Sequence, residues 1–418
     1  MALILNRPWN APRLAGRSQL RTIMNMASNN VTHVAACMST LGGLEAVLRH
    51  HHAHDSRWEF DSRFVILFES GKDAEDGRVQ CLGLNWATSV LDTRRRFGKR
   101  FSPRSGELVI YHDLLGVAVL SDLDQAVRRI GFIHCPADAI LHCRQQNLHL
   151  LDGILSVSRP VIDETKRLFP QLPPERIEFV PVPVSSVPAG SDRPPKEGRP
   201  FVIGYSGRLI KAHKRVDRLP ELYRLLEKME VNCRLEILGS GPMRPWLERK
   251  LQGRQRVVFH GEKRGPDYWK VLGAWDAIVY VSDLEGMGIS LLEAMSVGVV
   301  PLYPDISGGA AHYVRHVGPD LLYAPGNLEG LARIVGNLSR SPEGEVEKLR
   351  ARSREVVARH RGDAYHETFQ SFIRRIAQAP RVSQCDFARR PVYFADMLPF
   401  AVLTRIYRKG FDRATPAT

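Results

Sequence analysis

The sequence predicts an α/β protein made of two doubly wound domains, each with a parallel sheet. Three observations lead there. Short apolar, β-rich runs alternate with helical patterns in both halves of the chain. A stretch rich in proline, serine and glycine, S-S-V-P-A-G-S-D-R-P-P-K-E-G-R-P, separates the halves. The length of 418 residues suits two domains, and 44% hydrophobic with 25% charged residues is the balance of a globular protein with room for two cores.

The elements follow in order. Residues 1–30 form a basic leader without acidic residues, containing Pro8 and Pro12; its apolar start is too short for a secretory signal. The first domain is expected over 31–185. Its strands are read at Val31 to Cys37, Phe64 to Phe68, Glu107 to His112, Ile130 to His134, Asp152 to Ser158 and Ile177 to Val184. After the first strand, Gly42-Gly43 opens a helix through Arg49, and glycines there let a ligand approach the backbone. His50, His51, His52 and His54 read as solvated charges at that helix end rather than metal ligands. A further helix is read at Arg159 to Leu168.

The linker is placed at 186–200 and the second domain at 201–362. Its strands are read at Phe201 to Ser206, Cys233 to Leu238, Val257 to His260, Trp275 to Ser282 and Val299 to Tyr303. Helices are read at Arg215 to Glu230, at Tyr268 to Ala274, at Asn327 to Leu338 and at Glu345 to His360, with one more ending near Leu251. A terminal helix over 363–380 is expected to return toward the first domain, followed by a basic tail over 381–418.

Two constellations carry chemistry. Glu285 to Gly298 reads E-G-M-G-I-S-L-L-E-A-M-S-V-G, a strand–glycine turn–helix unit with Glu285 and Glu293 eight positions apart. Ser290 and Glu293 fit a capping box, with Gly298 as the helix stop. Glu293 therefore either caps its own helix or faces a ligand. In an open α/β sheet, such a turn sits at the ligand crevice, where free helix N–H groups suit a phosphate and carboxylates can accept from sugar hydroxyls. The second constellation is Gly207-Arg208 with Lys214 six residues after Arg208, also just past a strand. An Arg fork with a Lys point charge suits a pyrophosphate.

With these pieces in view, the sequence resembles the retaining glycosyltransferases of family 4, whose GT-B fold sets two Rossmann-like domains face to face across a cleft. The matching stretches are Gly42-Gly43; His134 at a strand end; D-G-I-L-S-V-S and V-P-V-P-V-S; S-G-R-L-I-K-A-H-K; L-E-I-L-G-S-G-P; V-F-H-G; and the Glu285 to Gly298 unit. The resemblance covers roughly residues 31 to 375 and is most specific in the second half. It implies that Arg208 and Lys214 hold the donor diphosphate, with Gly207 beside them. Glu285 would contact donor-sugar hydroxyls and Glu293 the ribose. Gly286, Met287, Gly288, Ile289 and Ser290 would line the donor site. Gly42 and Gly43 would approach the diphosphate from the other domain, and His134 would bind the donor sugar near the reacting centre. It implies no metal and no cofactor besides a nucleotide-diphosphate sugar, UDP- or GDP-linked. The acceptor would be lipid-linked or a polysaccharide, in cell-envelope or exopolysaccharide synthesis. Four positions depart from the pattern: Arg215 replaces a glycine, Met287 a phenylalanine, Val300-Pro301 shifts a proline, and His312 stands where a glutamate often follows Gly308-Gly309. The last points to an unusual donor or acceptor.

Other classes are disfavoured. A non-catalytic GT-B binding protein would not need the full set of Arg208, Lys214, Glu285 and Glu293. A nicotinamide oxidoreductase would need G-x-G-x-x-G followed by an acidic residue, which is missing. A net charge of +14 favours an anionic partner, yet no nucleic-acid recognition motif accompanies it. The charge, the run Arg94-Arg95-Arg96 with Lys99, Arg100 and Arg104, and the tail predict a cytoplasmic protein peripheral on the inner membrane's cytoplasmic face. For the run itself, a solvated helix face is the competing reading. Six scattered cysteines with no CxxC pair predict free thiols and no zinc site.

Overall fold

The computed structural model describes residues 29–39, 42–70, 76–102, 104, 106–124, 128–134, 145–184, 198–306, 309–360, 363–382, 397 and 399. The leader up to 28, most of the linker and nearly all of the tail lie outside these residues.

The first domain carries seven strands among the described residues: β1 (Asn30–Ala35), β2 (Asp61–Ile66), β3 (Val79–Cys81), β4 (Leu108–His112), β5 (Arg128–Ile133), β6 (Gly153–Ser156) and β7 (Ile177–Phe179). They lie side by side as β3-β2-β1-β4-β5-β6-β7, and every pairing is parallel. Its helices among the described residues are α1 (Gly43–His54), α2 (Val90–Arg100), the single turn α3 (Val117–Leu120) and α4 (Arg159–Leu168). The second domain pairs β8 (Phe201–Ser206), β9 (Cys233–Leu238), β10 (Val257–Gly261), β11 (Ala277–Val279), β12 (Val300–Pro304) and β13 (Leu322–Tyr323) in the order β10-β9-β8-β11-β12-β13, again all parallel. Its helices are α5 (Leu219–Lys228), α6 (Arg244–Lys250), α7 (Gly265–Gly273), α8 (Ile289–Ser296), α9 (Gly309–Val317), α10 (Leu328–Arg340) and α11 (Glu343–Val357). The last helix among the described residues is α12 (Ala364–Gln378).

Helices cover both faces of each sheet, so the strands read as apolar runs without alternation; β8, F-V-I-G-Y-S, is buried at every position. Gly204 within it is a space requirement, because a Cβ there would overlap the Trp275 indole. In both sheets the strand order reverses beside the domain's first strand, between β1 and β4 and between β8 and β11. Loops leaving adjacent strands diverge at such a point and open a crevice. Gly42-Gly43 follows β1, Gly207-Arg208 follows β8, and Glu285 follows β11. The Gly42-Gly43 turn and both constellations thus fall at the two reversal points.

Two anchors hold the outer elements. The buried Asp276 accepts both Arg199 guanidinium nitrogens at 2.7 and 2.9 Å, Arg350 at 2.7 Å and the Val202 amide at 2.7 Å, fastening α11 to the second sheet. The terminal helix α12 packs on the first domain: Phe372 and Ile376 fill the space over Gly153, and Tyr365 Oη lies 2.5 Å from His51 Nε2. Tyr365→Phe leaves that buried imidazole nitrogen unpaired, so urea unfolding should show a loss of about 1–2 kcal/mol.

Several expectations need correction. The helix after Gly43 does not end at Arg49 but runs to His54, so the four histidines are helical. His51 is fully buried, with Nδ1 2.8 Å from Asp55 Oδ1, and is no solvated charge. Helix α9 and the short strands β3 and β13 carry no sequence signal that singled them out: β3 has three residues and β13 two, and α9 opens on Gly309 without an Asp, Asn, Ser or Thr in front. The basic run divides: Arg94 pairs with Asp122 at 2.7 Å, Arg96 with Asp92 at 2.8 Å and Arg104 with Asp61 at 2.7 Å, while Arg95, Lys99 and Arg100 are exposed, as a solvated helix face would have them.

Candidate active site

A cleft of about 640 Å³ lies between the carboxyl ends of the two sheets. From the first domain it is lined by Gly42, Gly43 and His134. From the second it is lined by Gly207, Arg208 and Lys214, by Glu285, Gly286 and Met287, and by Gly288, Ile289, Ser290 and Glu293. Every site residue expected from the sequence therefore faces one cavity.

The cation loop and the acidic loop form one unit. Lys214 Nζ donates to Glu285 Oε2 at 2.6 Å, and Ser282 Oγ donates to Glu285 Oε1 at 2.6 Å. Glu285 is only 4% exposed, so its charge depends on these two partners. The loops are joined through the backbone, Asp283 N donating to His213 O at 2.8 Å. The Asp283 carboxylate accepts from Arg215 at 2.6 Å and Arg218 at 2.5 Å. Arg215 has φ +47°, left-handed backbone that favours glycine. The departure at this position is thus accommodated by ionic contacts that hold the residue in the strained conformation. Arg208 is exposed in the cleft, its loop pinned by Tyr205 Oη donating to Arg208 O at 3.1 Å.

The capping box is not formed. Gly288, at φ +66°, precedes the first turn of α8, and no side chain caps it. Ser290 Oγ instead donates to Ser206 O at 3.0 Å and lies 2.5 Å from Tyr280 Oη. Glu293 turns to the cavity wall, where Tyr268 Oη donates to its Oε2 at 2.5 Å. Burial pushes the Glu293 carboxyl up to about 7, against the opposing pull of the Tyr268 hydroxyl and of Arg49. With its own helix end left alone, Glu293 lines the cavity. Gly298, at φ +79°, does end this helix, its amide donating to Met295 O at 2.9 Å.

On the facing wall, His134 follows β5 and its amide donates to Asp113 Oδ1 at 2.7 Å. Its Nε2 lies 2.8 Å from His112 Nδ1, and His112 Nε2 lies 3.0 Å from His33 Nδ1. Burial pushes His134 down to about 3 and His33 to about 4, with neighbouring imidazoles adding to the effect. The chain is therefore neutral, and hydrogen bonds along it fix the ring orientation of His134. Gly43 meets the other domain, since a Cβ there would sit 3.5 Å from Ile289 Cδ1.

The cleft also contains Glu45, Arg49, Asp113, Glu262, Arg264 and Tyr268, which motif reading did not single out. Arg49 had a signal: it lies seven positions after Gly42, two helical turns along the same face. Tyr268 had none, because its contact with Glu293 joins separate elements. His312 is exposed, on a neighbouring groove with Arg159 and Arg315 rather than in this cleft, and Gly308 lies outside the described residues.

Residues 189–356 match the family described as glycosyl transferases group 1. The chain carries a group 1 glycosyl transferase domain. Among curated relatives, 161 residues are 31% identical to the lipopolysaccharide 1,6-galactosyltransferase of Salmonella typhimurium, covering 37% of this chain and 43% of that one. A further 182 residues are 32% identical to the 2-deoxystreptamine glucosyltransferase of Streptomyces kanamyceticus, covering 43% and 46%. The matches thus span less than half the length of these two relatives. Solved structures extend the likeness to both domains. The lipopolysaccharide outer core galactosyltransferase WaaB, in its apo form, superposes with TM-score 0.62 at 19% identity, covering 82% of this chain and 99% of that one. The pneumococcal O-GlcNAc transferase GtfA, in complex with UDP and GlcNAc, gives 0.66 at 13%, covering 84% and 100%. At these identities the structures establish the fold, which is GT-B for the group 1 domain and its partner together.

Proposed function

We propose that this chain transfers a hexose from a nucleotide-diphosphate sugar, UDP- or GDP-linked, to a lipid-linked or polysaccharide acceptor, retaining the anomeric configuration. One observation carries the reading: Lys214 Nζ, 2.6 Å from the buried Glu285, shares a single interdomain cleft with Arg208, the uncapped α8 terminus and Glu293. Cleaving a sugar–diphosphate bond builds negative charge on phosphate and positive charge on the sugar. Arg208, Lys214 and the α8 amides stabilise the first, and Glu285 holds Lys214 in place before the ligand arrives. Glu285 accepts from donor-sugar hydroxyls near the second, and Glu293 accepts from the ribose. His134 is held neutral and in one orientation to hydrogen-bond the sugar. With that cationic set on the diphosphate, the transfer step proceeds without a divalent metal.

The galactosyl- and glucosyltransferase names of the relatives support a hexose donor, and the lipopolysaccharide relative supports a cell-envelope acceptor. No helix among the described residues is long and apolar enough to cross a membrane, and the net charge of +14 supports attachment at an anionic surface near a lipid-linked acceptor.

Thermal shift with UDP, GDP and their glucose and galactose conjugates, followed by nucleotide release, tests the proposal. One nucleotide should raise the melting temperature, and its sugar conjugate should be turned over. Binding without hydrolysis or transfer would favour a non-catalytic sugar-nucleotide protein instead.

A further inference from the structure

A second cluster lies where α12 crosses α1, built on histidines that the cleft does not use. His50 and His54 are one turn apart on α1, ring centroids 4.3 Å apart. His366 on α12 closes the triangle, its ring 4.9 Å from His50 and 6.1 Å from His54. One ring nitrogen from each falls within 4.8 Å of the others.

Two features of these nitrogens point to a ligand. His366 is 2% exposed, yet neither its Nδ1 nor its Nε2 has a hydrogen-bond partner, and His50 Nε2 is equally buried and unsatisfied. Buried polar atoms are rarely left so without an ion or water to complete them. His54 Nδ1 lies 2.9 Å from His50 O; a carbonyl only accepts, so the proton is on Nδ1 and the Nε2 lone pair is open. The nearest carboxylate oxygen, Asp55 Oδ1, is 3.9 Å from His366 Nδ1, beyond hydrogen-bond distance, and already accepts from His51. Trp58 stacks on His366 at 5.2 Å and shields one side.

We propose that His50, His54 and His366 form a structural site for one divalent late transition metal, Zn²⁺ above all, stapling α12 to the first domain. Three imidazoles with no carboxylate in direct reach suit Zn²⁺ and its neighbours, not Mg²⁺ or Ca²⁺. Because α12 follows the second domain and packs on the first, the metal fixes the return of the chain. The site is distinct from the cleft and does not rest on the proposed transfer activity.

Tag-free, full-length protein, freed of metal with a chelator, is titrated with ZnCl₂ by calorimetry and then melted with and without Zn²⁺. Wild type should bind one equivalent and melt higher. His366→Ala should weaken binding at least about tenfold and abolish the thermal shift. His54→Gln, a half-buried helix position, should do the same and decides the matter if His366→Ala does not fold. A His312→Ala/His316→Ala control removes the other helical histidine pair, whose rings lie 4.4 Å apart, and should leave binding unchanged. No binding by wild type, binding unchanged in both test variants, or binding lost only in the control overturns the proposal.

Discussion

Lys214→Ala should lower donor-dependent transfer by about a hundred- to a thousandfold, the usual cost of removing one preplaced charge-stabilising group. The lysine has two roles at once. Its Nζ neutralises Glu285 in the free protein at 2.6 Å, and in the proposed reaction it meets the leaving diphosphate. Removing it leaves the Glu285 carboxylate, 4% exposed, with the hydrogen bond from the Ser282 hydroxyl but no counter-charge. Part of any loss would then reflect an orphaned buried charge rather than lost catalysis. The double variant Lys214→Ala/Glu285→Gln separates the two. It should recover stability in urea unfolding while nucleotide release stays low. Transfer by Lys214→Ala within a few-fold of wild type would remove the lysine from the chemistry.

The legible parts of this molecule were those set by local chemistry. Buried parallel strands such as Phe201 to Ser206 and Cys233 to Leu238 are short apolar runs, and the structure gives the same bounds. Glycine turns after β1, β8 and β11 mark the reversal points, so the cleft residues could be placed together from order alone. What failed depended on distant partners. Ser290 and Glu293 have the spacing of a capping box, but Tyr280, Ser206 and Tyr268 offer better partners, and tertiary bonds override the local motif. His51 reads as a helix-end charge until Asp55 and Tyr365 surround it, the latter 314 residues away. The histidine cluster of α1 and α12 could not be read from His50 and His54 alone, since its third member, His366, comes from the far end of the chain.

Glu293→Gln should abolish a pH dependence of stability and raise the stability of the ligand-free protein above neutrality. An ordinary glutamate has a value near 4.5; burial lifts Glu293 to about 7. Between those values the folded protein holds a proton that the unfolded chain has released. Stability therefore falls as pH rises from about 4.5 to 7, and above 7 the full penalty is present. At about 1.4 kcal/mol per unit the shift gives some 3 kcal/mol. Glu293 keeps part of its surface open to the cleft, so solvent screening holds the expected figure to about 2–3 kcal/mol. Urea midpoints measured from pH 5 to 8.5 should show the wild type losing stability through this window, and Glu293→Gln losing less by that amount. The nucleotide should reverse the order: if the ionised carboxylate accepts from ribose hydroxyls, wild type gains more from UDP or GDP at pH 8 than at pH 6, and the glutamine variant gains little at either. Equal stabilisation of the two proteins by nucleotide would take Glu293 out of the binding site while leaving its buried proton in place. The residue would then be a structural partner of Tyr268, and recognition of the ribose would have to come from elsewhere on the cleft wall.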